Sequence, residues 1–213
     1  MQPLHLDRLT EITALGAHCD DVAIGAGGTL LTFCRAHPGL RVRVLVLSGG
    51  GSDREAEERS ALAALCPGAE LEVVVGDLPD GRLPAHWDAA KEALEAFRRG
   101  GEPDVVLTTA RHDHHQDHRG LAQLTPTVWR DHLVLGYEVL KAEADLAQPL
   151  LSVSLDDDVL AEKVAVLHEH YASQRDRAWF DDEAFRGLAR LRGVQCGHRY
   201  AEAFHPERLV LDA

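Results

Sequence analysis

Nowhere does the 213-residue chain approach the ~18–20 consecutive apolar residues that a bilayer-spanning helix needs. The opening MQPLHLDRLTEITALGAH also lacks the basic flank and apolar run of a secretory signal. Cysteine is scarce. Cys19, Cys34, Cys66 and Cys196 show neither CxxC spacing nor the density of a disulfide framework, so reduced thiols in a cytoplasmic protein are expected. Positive charge is short too: 22 Lys and Arg against 35 Asp and Glu leave a formal charge of −13. That balance argues against a nucleic-acid partner or insertion at an anionic membrane, because phosphates would be repelled. Internal repeats, low-complexity tracts and Pro/Ser-rich linkers are all missing.

What is present reads as one globular domain over 1–213. Apolar residues make up 45% and charged residues 27%, an ordinary composition able to bury a core and far from disorder, collagen or coiled coil. Short Val/Leu-rich runs at 12–18, 41–48, 70–77, 104–110, 132–140 and 150–155 read as strands. Helical stretches are expected near 24–36, over EAEERSALAALC, through HWDAAKEALEAFRR, from Asp117 or His118, and near 157–171 and 182–192. This alternation predicts an α/β class: a single-domain, Rossmann-like layered fold with a mostly parallel sheet flanked by helices. In such folds ligands sit beyond the carboxyl ends of the strands, at a switch in strand order. Polar clusters directly after strands are therefore the places to look.

Four such clusters stand out. Thirteen histidines are many for this length, and four fall between His112 and His118. After the first strand comes His18-Cys19-Asp20-Asp21, where an imidazole and a carboxylate three residues on can reach one cation; the simpler alternative makes Asp20 or Asp21 a helix cap. After the fourth strand comes Arg111 to Arg119, in which His115 and His118 share one face where a helix begins. Two His/Asp clusters, each placed after a strand, point together to a metal site. The third cluster, Ser48 to Arg54, lacks the Walker lysine and does not match GxGxxG, so it reads as a turn into a helix from which Arg54 can reach a substrate. The fourth, Leu78-Pro79-Asp80-Gly81, is by itself a Pro-Asp-Gly turn.

Taken in order, these segments resemble the PIG-L/LmbE-like family of zinc-dependent N-acetylglucosaminyl deacetylases. The family's AHPDD motif stands as Ala17-His18-Cys19-Asp20-Asp21, its GGTL as Gly27-Gly28-Thr29-Leu30, and its later HPDH motif as His115-Gln116-Asp117-His118. An Arg-x-x-Glu helix start is matched by Arg54 and Glu57, and the LPDG turn by Leu78 to Gly81. Tyr171-Ala172-Ser173-Gln174 and Tyr200-Ala201-Glu202-Ala203-Phe204 resemble the closing signatures. The resemblance implies zinc, with ferrous iron as the alternative metal, held by His18, Asp21 and His118. It also implies Asp20 as general base, His115 as the residue that stabilises the oxyanion or protonates the amine, Asp117 as the group orienting His115, and Arg54 and Asp80 as sugar contacts. Two departures are visible. Cys19 replaces the usual proline, and Val22 and Ala23 stand where an acidic residue often closes the first motif.

The chemistry suits these residues. Zinc held by two imidazoles and one carboxylate keeps an open position and lowers a bound water's pKa from 15.7 towards about 7. A carboxylate next in sequence to a ligand can take the proton as that water attacks. The expected partner is a small amino-sugar conjugate, its aglycone read by loops such as 141–149 and 174–181; a homo-oligomer is compatible with the sequence. Trp179 either stacks on a sugar or packs in the core. The competing readings are another metal-dependent amidohydrolase or esterase, a nucleotide-binding module using GAGG or SGGGS, and a non-catalytic metal protein whose closed site adds His112 or His114.

Overall fold

The second strand shows why a sheet covered on both faces forms. In RVRVLVLS, Val42, Val44 and Val46 face one side while Leu45 and Leu47 face the other, and all five are buried. The computed structural model, which describes residues 4–6 and 8–210, contains seven strands and six α-helices among those residues. In chain order they are β1 (Glu11–Gly16), α1 (Asp21–Ala36), β2 (Arg41–Val46), α2 (Asp53–Leu65), β3 (Glu70–Val75), α3 (Trp87–Arg98), β4 (Val105–Thr109), α4 (Gln116–Val128), β5 (Leu133–Tyr137), β6 (Leu151–Leu155), α5 (Asp157–His170), α6 (Asp182–Cys196) and β7 (Tyr200–Pro206). No helix among the described residues is long and apolar enough to cross a membrane.

The sheet runs β3-β2-β1-β4-β5-β7-β6. Strands β1 to β5 pair in parallel, and β7 runs antiparallel between β5 and β6. The expected mostly parallel α/β layering is what forms, with one strand beyond the six read from sequence. That strand, β7, lies in YAEAFHP, whose charged and small residues hide the apolar run that marks a parallel strand. Its Glu202 is buried by partners rather than by apolarity. The carboxylate accepts the Gly28 and Thr29 amides of α1 at 2.8 and 2.7 Å and pairs with Lys163 of α5 at 2.6 Å, while Lys163 also donates to the Ile24 carbonyl. The last strand is thereby pinned to α1 and α5.

The order places the site. After β1 the chain builds outward through β2 and β3, then returns to add β4 on the other side of β1, so the switch point lies between β1 and β4. Their register aligns Ile12 with Val105 and Ala14 with Leu107. Gly16 and Thr109 therefore end side by side, and the two His/Asp clusters leave the sheet as neighbours. Thr109 Oγ1 donates to the His118 carbonyl at 2.8 Å, tying the strand end to the first turn of α4. On one face of the sheet Ile12, Ala14 and Val44 pack with Leu30, Leu62 and Leu167; on the other Leu15, Leu45 and Val106 pack with Leu94, Leu121 and Trp129. Each such Val, Leu or Ile side chain contributes roughly 1.5–3 kcal/mol by leaving water.

Candidate metal and active site

Helix α1 begins at Asp21, three residues earlier than its periodicity indicates, because the turn before it is set by tertiary bonds. Asp21 Oδ2 accepts the Ala17 and His18 amides, both at 2.9 Å, which bends the chain sharply off β1. Asp20 holds the N-cap position yet makes no side-chain cap bond, and its φ of 111° is the one positive value on a non-glycine residue among those described. A residue in so sparse a region costs about 1–3 kcal/mol and persists only where its surroundings fix it. Neither aspartate is therefore the simple helix cap that the sequence allowed.

Cys19 serves as a small residue in this turn. Its buried thiol donates to the Ser48 carbonyl at 3.6 Å, and burial together with Glu58 pushes it up to about 12. It lies against the glycine turn after β2, where a Cβ on Gly49, itself at φ 103°, would meet the sulfur at 2.8 Å. All four cysteines are free thiols.

The two clusters meet. His18 Nδ1 stands 3.1 Å from His118 Nε2, which stands 3.1 Å from Asp21 Oδ1, and Asp21 Oδ2 is 3.6 Å from His18 Nδ1. Two donors at zinc distance, about 2.0–2.1 Å, in tetrahedral geometry lie about 3.4 Å apart, so the triangle has the right size. Tautomers make the stronger case. In the neutral ring His118 Nδ1 donates to Asp113 Oδ2 at 2.8 Å, which leaves Nε2 as the lone pair for a metal to take in place of a proton. His18 Nε2 faces Asp117 Oδ2 at 3.2 Å and Asp80 Oδ1 at 3.1 Å, which leaves Nδ1 bare as well. Two lone pairs aimed at each other beside a carboxylate repel unless a cation lies among them. The donor set fits a divalent metal.

Charge tells the same story. Burial alone would depress His18, yet Asp21, Asp117 and Asp80 push it up to about 12. Burial likewise opposes, and Asp21 and Asp113 outweigh, a rise of His118 to about 9. Burial would raise Asp21, but His118 and His18 hold it well below the usual carboxylate range. The pocket attracts positive charge. Asp20 differs: burial pushes it up to about 7, Arg54 opposing and Asp21 adding to the rise. Arg54 Nη2 donates to Asp20 Oδ2 at 2.7 Å and also to the Cys19 carbonyl.

His115 lies close by. Its ring is edge-on to His18 with centroids 4.8 Å apart, and the ring nitrogens of His18, His115 and His118 offer donors within 4.8 Å of one another. Burial and the neighbouring His118 and His18 lower its proton affinity. The Asp117 amide donates to His115 Nδ1 at 3.3 Å. The Asp117 carboxylate, expected to orient His115, instead accepts the Gly81 and Leu83 amides at 2.7 and 3.0 Å and faces His18. What reaches His115 is the backbone of the helix start, because α4 begins at Gln116 with His115 as its N-cap. Asp80 sits at the mouth, its side chain about two-thirds exposed. His112 packs on His205 with centroids 4.3 Å apart, and the exposed His114 donates its amide to Asp145, so neither enters the donor triangle.

Three residues escaped the sequence reading. Asp113 lies inside the histidine cluster but was given no role there; it stands five residues before His118 and holds that ring. Lys141 and Asp145, from a segment read as a substrate loop, turn inward: Lys141 Nζ pairs with Asp113 at 3.0 Å and Asp145 at 2.6 Å. Trp179 packs against Phe180 and the main core. Asp113→Asn should lower divalent-metal affinity 10–100-fold while the fold is kept, measured by competition with a chromophoric chelator; unchanged affinity would show that Asp113 does not tune His118.

The comparisons follow this geometry. The family model described as PIG-L, GlcNAc-PI de-N-acetylase, matches residues 13–129, more than half of the chain. The uncharacterized deacetylase YaiS of Escherichia coli (strain K12) is 29% identical over 171 residues, covering 75% of this chain and 89% of that protein. Among solved structures, N,N'-diacetylchitobiose deacetylase from Pyrococcus horikoshii superposes with a TM-score of 0.73 at 20% identity, covering 93% of this chain and 84% of that one. GalB, the 4-carboxy-2-hydroxymuconate hydratase from Pseudomonas putida KT2440, superposes at 0.78 with 20% identity, covering 96% and 99%. Likeness at 20% identity carries the fold alone, and it is the family match that carries the assignment: the chain belongs to the PIG-L family of hydrolytic de-N-acetylases.

Proposed function

We propose that this protein is a zinc-dependent hydrolase that removes the acetyl group from an N-acetylglucosamine-type conjugate. One observation carries the reading. His18 Nδ1, His118 Nε2 and the Asp21 carboxylate converge on one point, while the neighbouring carboxylate in the chain, Asp20, is left out of that triangle.

His18, Asp21 and His118 would hold the metal, which when bound supplies Lewis acidity at a position left open by a three-residue ligand set. Asp20 accepts the proton released as water attacks the acetyl carbon, and Arg54 donates to that carboxylate at 2.7 Å. With Nδ1 accepting from the Asp117 amide, His115 carries its proton on Nε2. That N–H serves the developing oxyanion, and the proton that Asp20 has taken from the water is the one passed to the leaving amine. Asp117 and Asp80 fix the orientation of His18, and Asp80 and Arg54 lie where a sugar hydroxyl is met. The pocket carries Asp20, Asp21, Asp80, Asp113 and Asp117 against Arg54 and Lys141, which favours a neutral sugar over a polyanion.

Because a hydratase shares this fold, the assay must separate the reactions. Zinc-loaded protein should release acetate and a primary amine in equal amounts from N-acetylglucosamine, its β-linked dimer or a 1-O-conjugate, and protein stripped with a chelator should not. Release of acetate from O-acetyl esters alone would move the assignment to an esterase. Turnover unaffected by chelation would end the metal reading.

A further inference from the structure

We propose that Glu58 and Tyr171 are positioning residues for Asp20, holding its backbone in the left-handed conformation that aims the carboxylate at the site. The inference rests on the deacetylase reading above and extends it to residues that touch neither metal nor substrate. Glu58 is fully buried on α2, and its Oε2 accepts the Asp20 amide at 2.8 Å and the Tyr171 hydroxyl at 2.6 Å. Tyr171, equally buried, stands at the C-cap of α5. A carboxylate in an apolar interior is costly and is kept there by what it holds. What it holds is the one non-glycine residue with positive φ among those described.

The other bonds of Asp20 complete the clamp. Its carbonyl accepts the Ile24 amide at 2.9 Å, the first helical bond of α1, and its carboxylate takes Arg54 from the opposite end of the same α2 turn. Helix α2 thus grips Asp20 twice, by Arg54 at the side chain and by Glu58 at the amide. Next to this grip, Glu57 accepts the Ser173 amide at 2.9 Å and its hydroxyl at 2.6 Å, so the α2 acidic pair and the Tyr171–Ser173 segment interlock. Arg54 of the earlier motif, Glu58 and Tyr171 of the later signature form one device, and the Glu57–Ser173 bonds lie outside it. Its glutamate in contact with the active turn is Glu58, one residue beyond the motif position.

Removing the acceptor frees the Asp20 peptide to relax toward ordinary φ, carrying the carboxylate away. Glu58→Ala in zinc-loaded protein should lose at least 100-fold in kcat on N-acetylglucosamine, with KM and zinc stoichiometry within twofold of the parent. Glu58→Gln keeps a carbonyl oxygen for the Asp20 amide and should restore kcat to within about fivefold. Tyr171→Phe, which leaves the carboxylate in place and covers the case in which Glu58→Ala fails to fold, should lose about fivefold in kcat alone. Glu57→Ala breaks the neighbouring Ser173 bonds without touching Asp20 and should leave kcat unchanged. As a readout free of turnover, the Asp20 amide proton should sit downfield in the parent NMR spectrum and move upfield in Glu58→Gln.

A folded, zinc-bound Glu58→Ala with kcat within threefold of an active parent overturns the inference and spares the functional reading. Equal loss in Glu57→Ala reduces the cluster to general scaffolding and also overturns it. A parent that releases no amine from any N-acetyl sugar overturns the reading, and this inference falls with it.

Discussion

Asp20→Asn is expected to keep zinc at one equivalent and to lose about 10³-fold in kcat, within the 10²–10⁴-fold typical of a general base. The substitution is close to isosteric, and asparagine tolerates positive φ better than most residues, so the strained turn survives. Its amide oxygen still accepts from Arg54, whose partner is Asp20 Oδ2 at 2.7 Å. The ligand triangle of His18, Asp21 and His118 does not include the changed atoms. Only the capacity to take a proton goes. Single-turnover rates with metal content measured on the same sample decide the matter: a rate within tenfold of the parent would move the base elsewhere, and His115 would be the residue to test next.

His118→Ala should abolish zinc binding and turnover together. The ring supplies one of the two bare nitrogens, and without it His18 and Asp21 are left as a two-point site in a pocket still rich in carboxylates. The loss should exceed the 10–100-fold expected of Asp113→Asn, which only loosens the same ring. Stability gives a second reading. A metal that binds the folded chain alone adds about 4 kcal/mol at 1,000 times its dissociation constant, so the parent should melt higher with zinc and lower after chelation. His118→Ala should melt at one temperature whatever the zinc. Retention of one tightly held equivalent would show that His115, whose ring nitrogens also lie near the triangle, is the true ligand.

Which parts of this site could be read from residues alone follows from how local each interaction is. His18, Asp21, His115 and His118 could be picked out as candidates because metal-binding residue types are few and because strand ends are marked by apolar runs. Glu58 left a fainter trace. It falls with Ala61, Leu62 and Leu65 at helical spacing on the buried stripe of α2, and a glutamate on an apolar stripe asks for a buried partner. The partner, the Asp20 amide, is 38 residues away and carries no side-chain signal at all. Asp117, which the resemblance implies as the group orienting His115, meets that ring through its amide, because the helix start turns the amide to His115 and sends the carboxylate to Gly81, Leu83 and His18.

The amino-acid sequence by itself determined the alternating α/β pattern, the candidate metal-binding residue types and their attachment to the ends of two strands, since all three depend on spacing along the chain. The strand order that makes those ends neighbours, the antiparallel β7 held by Lys163 and the amides of α1, and the left-handed Asp20 gripped by Arg54 and Glu58 were decided only by the tertiary structure. Those features depend on backbone groups and buried charges meeting across long separations, where a pairing is fixed by what the fold brings within 3 Å and not by which residues precede or follow.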